Sequence, residues 1–136
     1  MDVSLDIAAP AGALWRLLID TQRWSEWGPS VSAVECTDRW LRQGSRGRLR
    51  TPLGLWLPFE ITLFDPPRRW CWRVLGIAAT GHRVEALGPQ RSRLVFEIPA
   101  TAFPYALVCR MAARRIADLL AQEPGKREGD DEAIDR

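Results

Sequence analysis

The sequence predicts an α+β domain in which a long C-terminal helix lies across a curved, seven-stranded antiparallel sheet. Three observations predict it. The run from residue 101 to 122 (TAFPYALVCRMAARRIADLLAQ) sets Tyr105, Val108, Cys109, Ala112, Ile116, Leu119 and Leu120 at helical spacing, so one face is apolar and needs a partner. Residues 29 to 99 instead read as short alternating segments separated by turns, the mark of an antiparallel meander. Across those segments one parity is apolar and the other is rich in Arg and Glu, as expected where every strand turns the same chemistry toward one core.

At the N-terminus, Val3, Leu5 and Ile7 alternate with Asp2, Ser4 and Asp6 and predict a first strand. Pro10 suits the first turn of a helix that runs to about Ile19, with Leu14, Trp15 and Leu18 on one side. Asp20 and Thr21 can cap a short second helix carrying Trp24 and Trp27 at i and i+3, which Gly28-Pro29 ends. Six strands follow: 31–37, 46–51, 59–64, 69–75, about 80–87, and 91–98. The inward parity is Leu49, Phe59, Ile61, Leu63, Trp70, Trp72, Val74, His82, Val84, Leu94, Phe96 and Ile98. The outward parity holds Arg48, Arg50, Glu60, Arg73, Arg83, Glu85, Arg93 and Glu97, an expected lattice of exposed ion pairs.

Composition narrows the function classes. A chain of 136 residues, 46% hydrophobic and 26% charged, is expected to form one domain over 1–122, followed by a charged, disordered tail over 123–136. Of the chain's nineteen bases and seventeen acids the tail takes three and six, leaving 16 against 11, too small an excess to predict nucleic-acid binding. No apolar run has membrane-span length and no signal peptide is visible. Cys36, Cys71 and Cys109 lack metal or disulfide spacing, so a cytoplasmic protein without metal or other cofactor is expected.

The blocks IAAPAGALWRLLIDTQRWSEWGPSV (7–31), GSRGRL (44–49), FEITLFDPPRRWCWRV (59–74) and GHRVEAL (81–87) resemble the START-like (SRPBCC) superfamily, within it the polyketide cyclase/dehydrase branch. The resemblance covers residues 1 to about 122 and implies a helix-grip fold with an elongated apolar cavity. It implies binding or carriage of a hydrophobic aromatic, polyketide-like, lipid or isoprenoid small molecule. The alternatives are a polyketide cyclase or dehydratase, and a protein-interaction module using the Trp56 loop.

His82, the sole histidine, is the catalytic candidate as a general acid or base; it could equally contact ligand or be a satisfied core residue. Glu60, Glu85 and Glu97 have the opposite parity, so no carboxylate is placed to orient it. Expected ligand contacts are Trp27, Leu49, Trp56, Phe59, Ile61, Trp70, Trp72, His82, Val84, Phe96, Met111 and Arg114. Trp70 and Trp72 are either flat ligand walls or core filling, and Arg114 either reaches the pocket rim or is solvated. The segment PLGLWLP (52–58) reads as a lid, a dimer contact or a loop that touches a membrane transiently, or simply as a continuation of the flanking strand. Oligomeric state is not legible.

Overall fold

The computed structural model describes residues 2–99 and 105–122. Seven strands, β1 (Asp2–Ile7), β2 (Ala33–Cys36), β3 (Arg46–Arg50), β4 (Trp56–Asp65), β5 (Arg69–Val74), β6 (Ile77–Gly88) and β7 (Arg91–Glu97), form one sheet in the order β1-β7-β6-β5-β4-β3-β2. All pairings are antiparallel, so β2 to β7 is a meander and β1 returns to close it beside β7. Helices α1 (Ala11–Ile19) and α2 (Trp24–Trp27), joined through a single 3-10 turn at Thr21–Arg23, stand between β1 and β2. Helix α3 (Ala106–Gln122) packs against β1, α1 and α2. The expected helix start at 101–104 and the expected tail at 123–136 lie outside the described residues.

The buried side of α3 is Cys109, Ala112, Ala113, Ile116 and Leu120, at the spacing that one helical stripe requires. Ile116 is fully buried, and burying a side chain of that size stabilises by about 1.5–3 kcal/mol. Small residues at 112 and 113 let the helix approach its neighbours closely. Asp20 fixes the entry to α2: its carboxylate accepts the Gln22 N–H and pairs with Arg39 at 3.1 Å.

The register shifts at three places, between β4 and β5, β5 and β6, and β6 and β7, and the first of these overturns an expected parity. Thr62 is unpaired between Ile61↔Trp72 and Leu63↔Cys71, and this bulge shifts the register by one residue. Leu63 therefore shares the outward side with Cys71, against expectation, and Phe64 turns inward opposite Trp70 to meet Trp15 at 5.6 Å. β6 begins three residues earlier than expected because Leu75 and Gly76, with φ of 56° and 71°, make a two-residue hairpin turn.

The outward face is the anticipated ion-pair lattice. Glu97 accepts from Arg69 at 2.8 Å and from Arg83 at 2.6 Å, and Arg93 reaches Asp6 at 2.8 Å across to the edge strand. Gly81 makes room for the Glu97 carboxylate, with which a Cβ at that position would collide. These half-exposed pairs each contribute at most about 1 kcal/mol, so they set register and solubility more than stability.

Candidate ligand-binding site

The concave side of β5 and β6 meets α2 in a column of stacked rings. Trp24 lies on Trp70 with centroids 5.6 Å apart and planes 7° apart, and Trp70 lies on His82 at 3.7 Å and 14°. Trp72 closes edge-on against Trp70 at 5.7 Å, and Phe96 and Trp27 close edge-on against His82 at 5.4 and 6.4 Å. Cross-strand pairing produces this column: Trp70 stands opposite His82, and His82 opposite Phe96.

The hydrogen bonds of the column fix the histidine tautomer. Nδ1–H of His82 donates to the Trp70 carbonyl at 3.3 Å, so Nε2 accepts from the Thr80 hydroxyl at 3.3 Å, whose oxygen accepts from Trp72 Nε1–H at 3.1 Å. Trp24 Nε1–H donates to the Leu18 carbonyl at 3.0 Å. Burial pushes the His82 pKa down to about 3, outweighing the upward pull of its bond to the Trp70 carbonyl. The imidazole is therefore neutral near pH 7 with both nitrogens engaged and no carboxylate among its hydrogen-bond partners. That arrangement suits a wall better than a proton shuttle. Cys109 is also passive, because burial pushes its thiol up to about 11.

Two hollows flank this column. A chamber of about 40 Å³ is lined by Trp24, Trp27, Trp70, Trp72, Thr80, His82 and Phe96 from below, and by residues 28–31, Tyr105, Val108, Cys109 and Ala112 from above. A groove of about 340 Å³ lies beyond it, lined by Leu49, Thr51, Leu57, Trp72, Val74, residues 77–80, Ser30 and Tyr105. The two share Ser30, Trp72, Thr80 and Tyr105, and a hydrogen bond between the Ser30 and Tyr105 hydroxyls closes the wall between them. Neither lining contains a charged side chain.

Of the residues expected to touch ligand, Trp27, Trp70, Trp72, His82 and Phe96 line the chamber, and Leu49 and Trp72 line the groove. The others are placed elsewhere. Phe59, Ile61 and Val84 share the inward parity but are consumed by core packing, Phe59 against Trp24 at 5.2 Å. Trp56 has the outward parity, with the Arg48 guanidinium 4.4 Å over its ring. Met111 is 50% exposed and lines neither hollow. Arg114 borders a separate hollow beside β1 with Arg110 and Ala113, remote from the chamber. Many lining residues are not among the expected contacts, Thr80 and Ser30 among them. Thr80 shares the parity of His82 and was findable; Ser30, a loop residue, carries no sequence signal.

Among the described residues no three His, Cys, Asp or Glu side chains stand close enough to share a metal, and no helix is long and apolar enough to cross a membrane.

Several solved structures share the fold. An uncharacterized protein from Bacillus thuringiensis superposes with a TM-score of 0.69 at 12% identity, over 89% of this chain and 98% of its own. The Zhui aromatase/cyclase of a Streptomyces species gives 0.57 at 20% identity, over 96% and 87% of the two chains. A point mutant of norcoclaurine synthase from Thalictrum flavum, in complex with a transition-state analogue, gives 0.60 at 11% identity, over 92% and 95%. No curated protein matches the sequence. The family model described as "polyketide cyclase / dehydrase and lipid transport" matches residues 1–122, and with the seven-stranded sheet, the α3 crossing and the enclosed ring column the chain belongs to that family.

Proposed function

We propose that the protein binds and carries an uncharged hydrophobic small molecule in the apolar groove beside the ring column. The observation that carries this reading is the 340 Å³ groove, apolar along Leu49, Leu57, Trp72, Val74 and Ile77 and free of charged lining. Its volume lies at the low end of ligand pockets, which run to about 300–1,000 Å³. A ligand carboxylate or phosphate would be desolvated there without a counter-ion, so a neutral ring system fits best.

A cyclase acting through His82 is less well supported. Its imidazole is fully enclosed, already bonded at both nitrogens, and has no charged form available near neutral pH. The rim of the groove supports a carrier instead. Leu53 is 89% exposed and Leu55 61% exposed on the β3–β4 hairpin, with Ile77 at the mouth and Arg50 alongside, a composition suited to transient contact with a membrane surface during loading.

The test is extraction of the natively purified protein into organic solvent, followed by mass spectrometry and by titration of tryptophan fluorescence with naphthalene-class compounds. A co-purifying neutral apolar molecule, and saturable quenching that Leu49→Trp weakens by filling the groove, are expected. An empty extract together with no saturable quenching would overturn the carrier reading.

A further inference from the structure

Four of the five most exposed large apolar side chains among the described residues, Leu53, Leu55, Leu75 and Ile77, sit on two hairpin tips. The β3–β4 and β5–β6 turns leave the meander at the same end of the sheet. The Leu75 N–H donates to the Pro58 carbonyl at 2.9 Å, which ties the second tip to the strand that carries the first. Thr51, Leu57, Val74 and Ile77 line the groove, so the two tips flank its mouth. The first tip also turns its backbone polarity inward on itself. Thr51 N–H donates to the Leu55 carbonyl at 2.8 Å, Gly54 N–H to the Thr51 carbonyl at 2.9 Å and Leu55 N–H to the Thr51 hydroxyl at 3.2 Å, while Pro52 has no N–H to satisfy. A tip paired in this way loses little on leaving water.

Charge is distributed to match. Among the described residues every arginine turned outward on β3, β5, β6 and β7 pairs with an acid, except Arg50 and Arg73. Both stand beside the tips. The Arg50 guanidinium lies 3.3 Å from where a Cβ on Gly54 would be, and Arg73 stands opposite Glu60, whose carboxylate already accepts from Arg46. Residues 39–59 and 66–84 contain no acid, and the turn acids Asp38 and Asp65 belong to the opposite end of the meander. One end of the molecule is thus apolar at its tips and cationic just behind them, the order that a bilayer interface presents in reverse.

We propose that this end docks on an anionic phospholipid bilayer: Leu53, Leu55, Leu75 and Ile77 enter the headgroup boundary, and Arg50 and Arg73 meet lipid phosphates and carboxylates. A two-fold contact between copies fits the surface less well, because it would bring the free arginines of one copy against those of the other. The proposal deepens the carrier reading and rests on it for its purpose: the groove opens against the membrane, so an apolar ligand passes between them without crossing water.

The test is flotation of the full-length protein with vesicles of phosphatidylcholine alone, or with a one-third share of phosphatidylserine, in low and in high salt. Partition onto the anionic vesicles is expected to be at least about tenfold stronger in low salt, since each cation at the surface contributes about fivefold, and to fall in high salt. Arg50→Gln with Arg73→Gln should bring the two vesicles within about threefold of each other. Leu53→Ser with Leu55→Ser should weaken binding to both by about tenfold. Arg42→Gln, a paired arginine at the opposite end, should change nothing. All these positions are exposed, and unchanged thermal midpoints check that the variants fold. Equal partition onto the two vesicles, binding to neither, or a loss in Arg42→Gln as large as in the double arginine variant would overturn the docking. So would a dimer in solution that Leu53→Ser with Leu55→Ser dissolves, which would assign the patch to a second copy. Naphthalene titration without vesicles separates the two readings: saturable quenching without docking overturns the docking alone, and docking without quenching overturns the carrier alone.

Discussion

The two hollows on either side of the Trp72–Thr80 wall are built by opposite means. The chamber is floored by rings at stacking distance, with Trp70 and His82 buried and fixed from several sides. The groove is lined by aliphatic side chains at strand ends, and its far wall at Ile77 is 68% exposed. In the first, folding energy and site geometry are the same contacts; in the second they are largely separate. A close-packed region resists change of even one methylene, whereas a rim with solvent on one side yields. Rigidity is thereby concentrated at the ring column and yielding space at the groove.

The sharpest way to break this contrast is truncation of one wall of each. Trp70→Ala removes the central ring of the column and is expected to cost about 3–5 kcal/mol, the range for large aromatics deleted from a core. Ile77→Ala at the groove should cost less than about 0.5 kcal/mol and weaken only ligand binding. Urea unfolding of both variants measures the difference. Similar losses would mean that the groove is as integral to the fold as the chamber.

A second contrast is in pH. The folded-state pKa of His82 is about 3, below the ordinary 6.5, so between those values the unfolded chain binds a proton that the folded protein refuses. Its contribution is complete above about pH 6.5 and is lost as pH falls toward 3. From pH 6.5 to 4.5 the expected loss is about 2 kcal/mol. Asp6, Glu35 and Asp38 are held below their ordinary range, chiefly by hydrogen bonds from Arg93, Arg48 and Ser45 respectively; their own losses set in only as pH approaches the ordinary carboxylate range, below most of the histidine window. Denaturation across that window should show the slope in the wild type and a flat line in His82→Phe. A wild type as flat as the variant would mean that water or a relaxed packing solvates the ring.

How much of this was legible in the sequence follows the same division. Period-two alternation carried the sheet faces and placed Trp70, Trp72, His82 and Phe96 together, because parity is a local property that pairing preserves. It failed at Leu63, where one unpaired residue at Thr62 inverts the strand and nothing in the composition announces it. Met111 and Arg114, expected on a flank of the apolar face of α3, line neither hollow; the buried stripe runs through Cys109, Ala112, Ala113 and Ile116. The stripe was readable, but which of its flanks faces the pocket depends on how α3 docks. Closure of the wall by Ser30 and Tyr105, 75 positions apart, is a tertiary contact with no local signature. Nor could alternation say that the inward side chains of Phe59 and Ile61 would be spent on packing while the rings at 70 and 72 border open space.

A small expected effect of the opposite sign sits near the groove mouth. Leu75 adopts φ 56° and is 56% exposed in the turn between β5 and β6. A γ-branched residue in the left-handed region costs about 1 kcal/mol relative to one that tolerates it, and Asn-Gly is the favoured pair for a two-residue turn with both φ positive. Leu75→Asn creates that pair with Gly76 and should stabilise by about 0.5–1 kcal/mol. Leu75 is not part of the groove lining, so affinity for the naphthalene probes should stay within twofold, roughly the size of a surface effect. A higher thermal midpoint with unchanged probe binding would separate rim stability from groove capacity, as the open construction of that side requires. A gain in stability accompanied by loss of binding would instead tie the turn to the site, and the two sides of the wall would then differ in degree and not in kind.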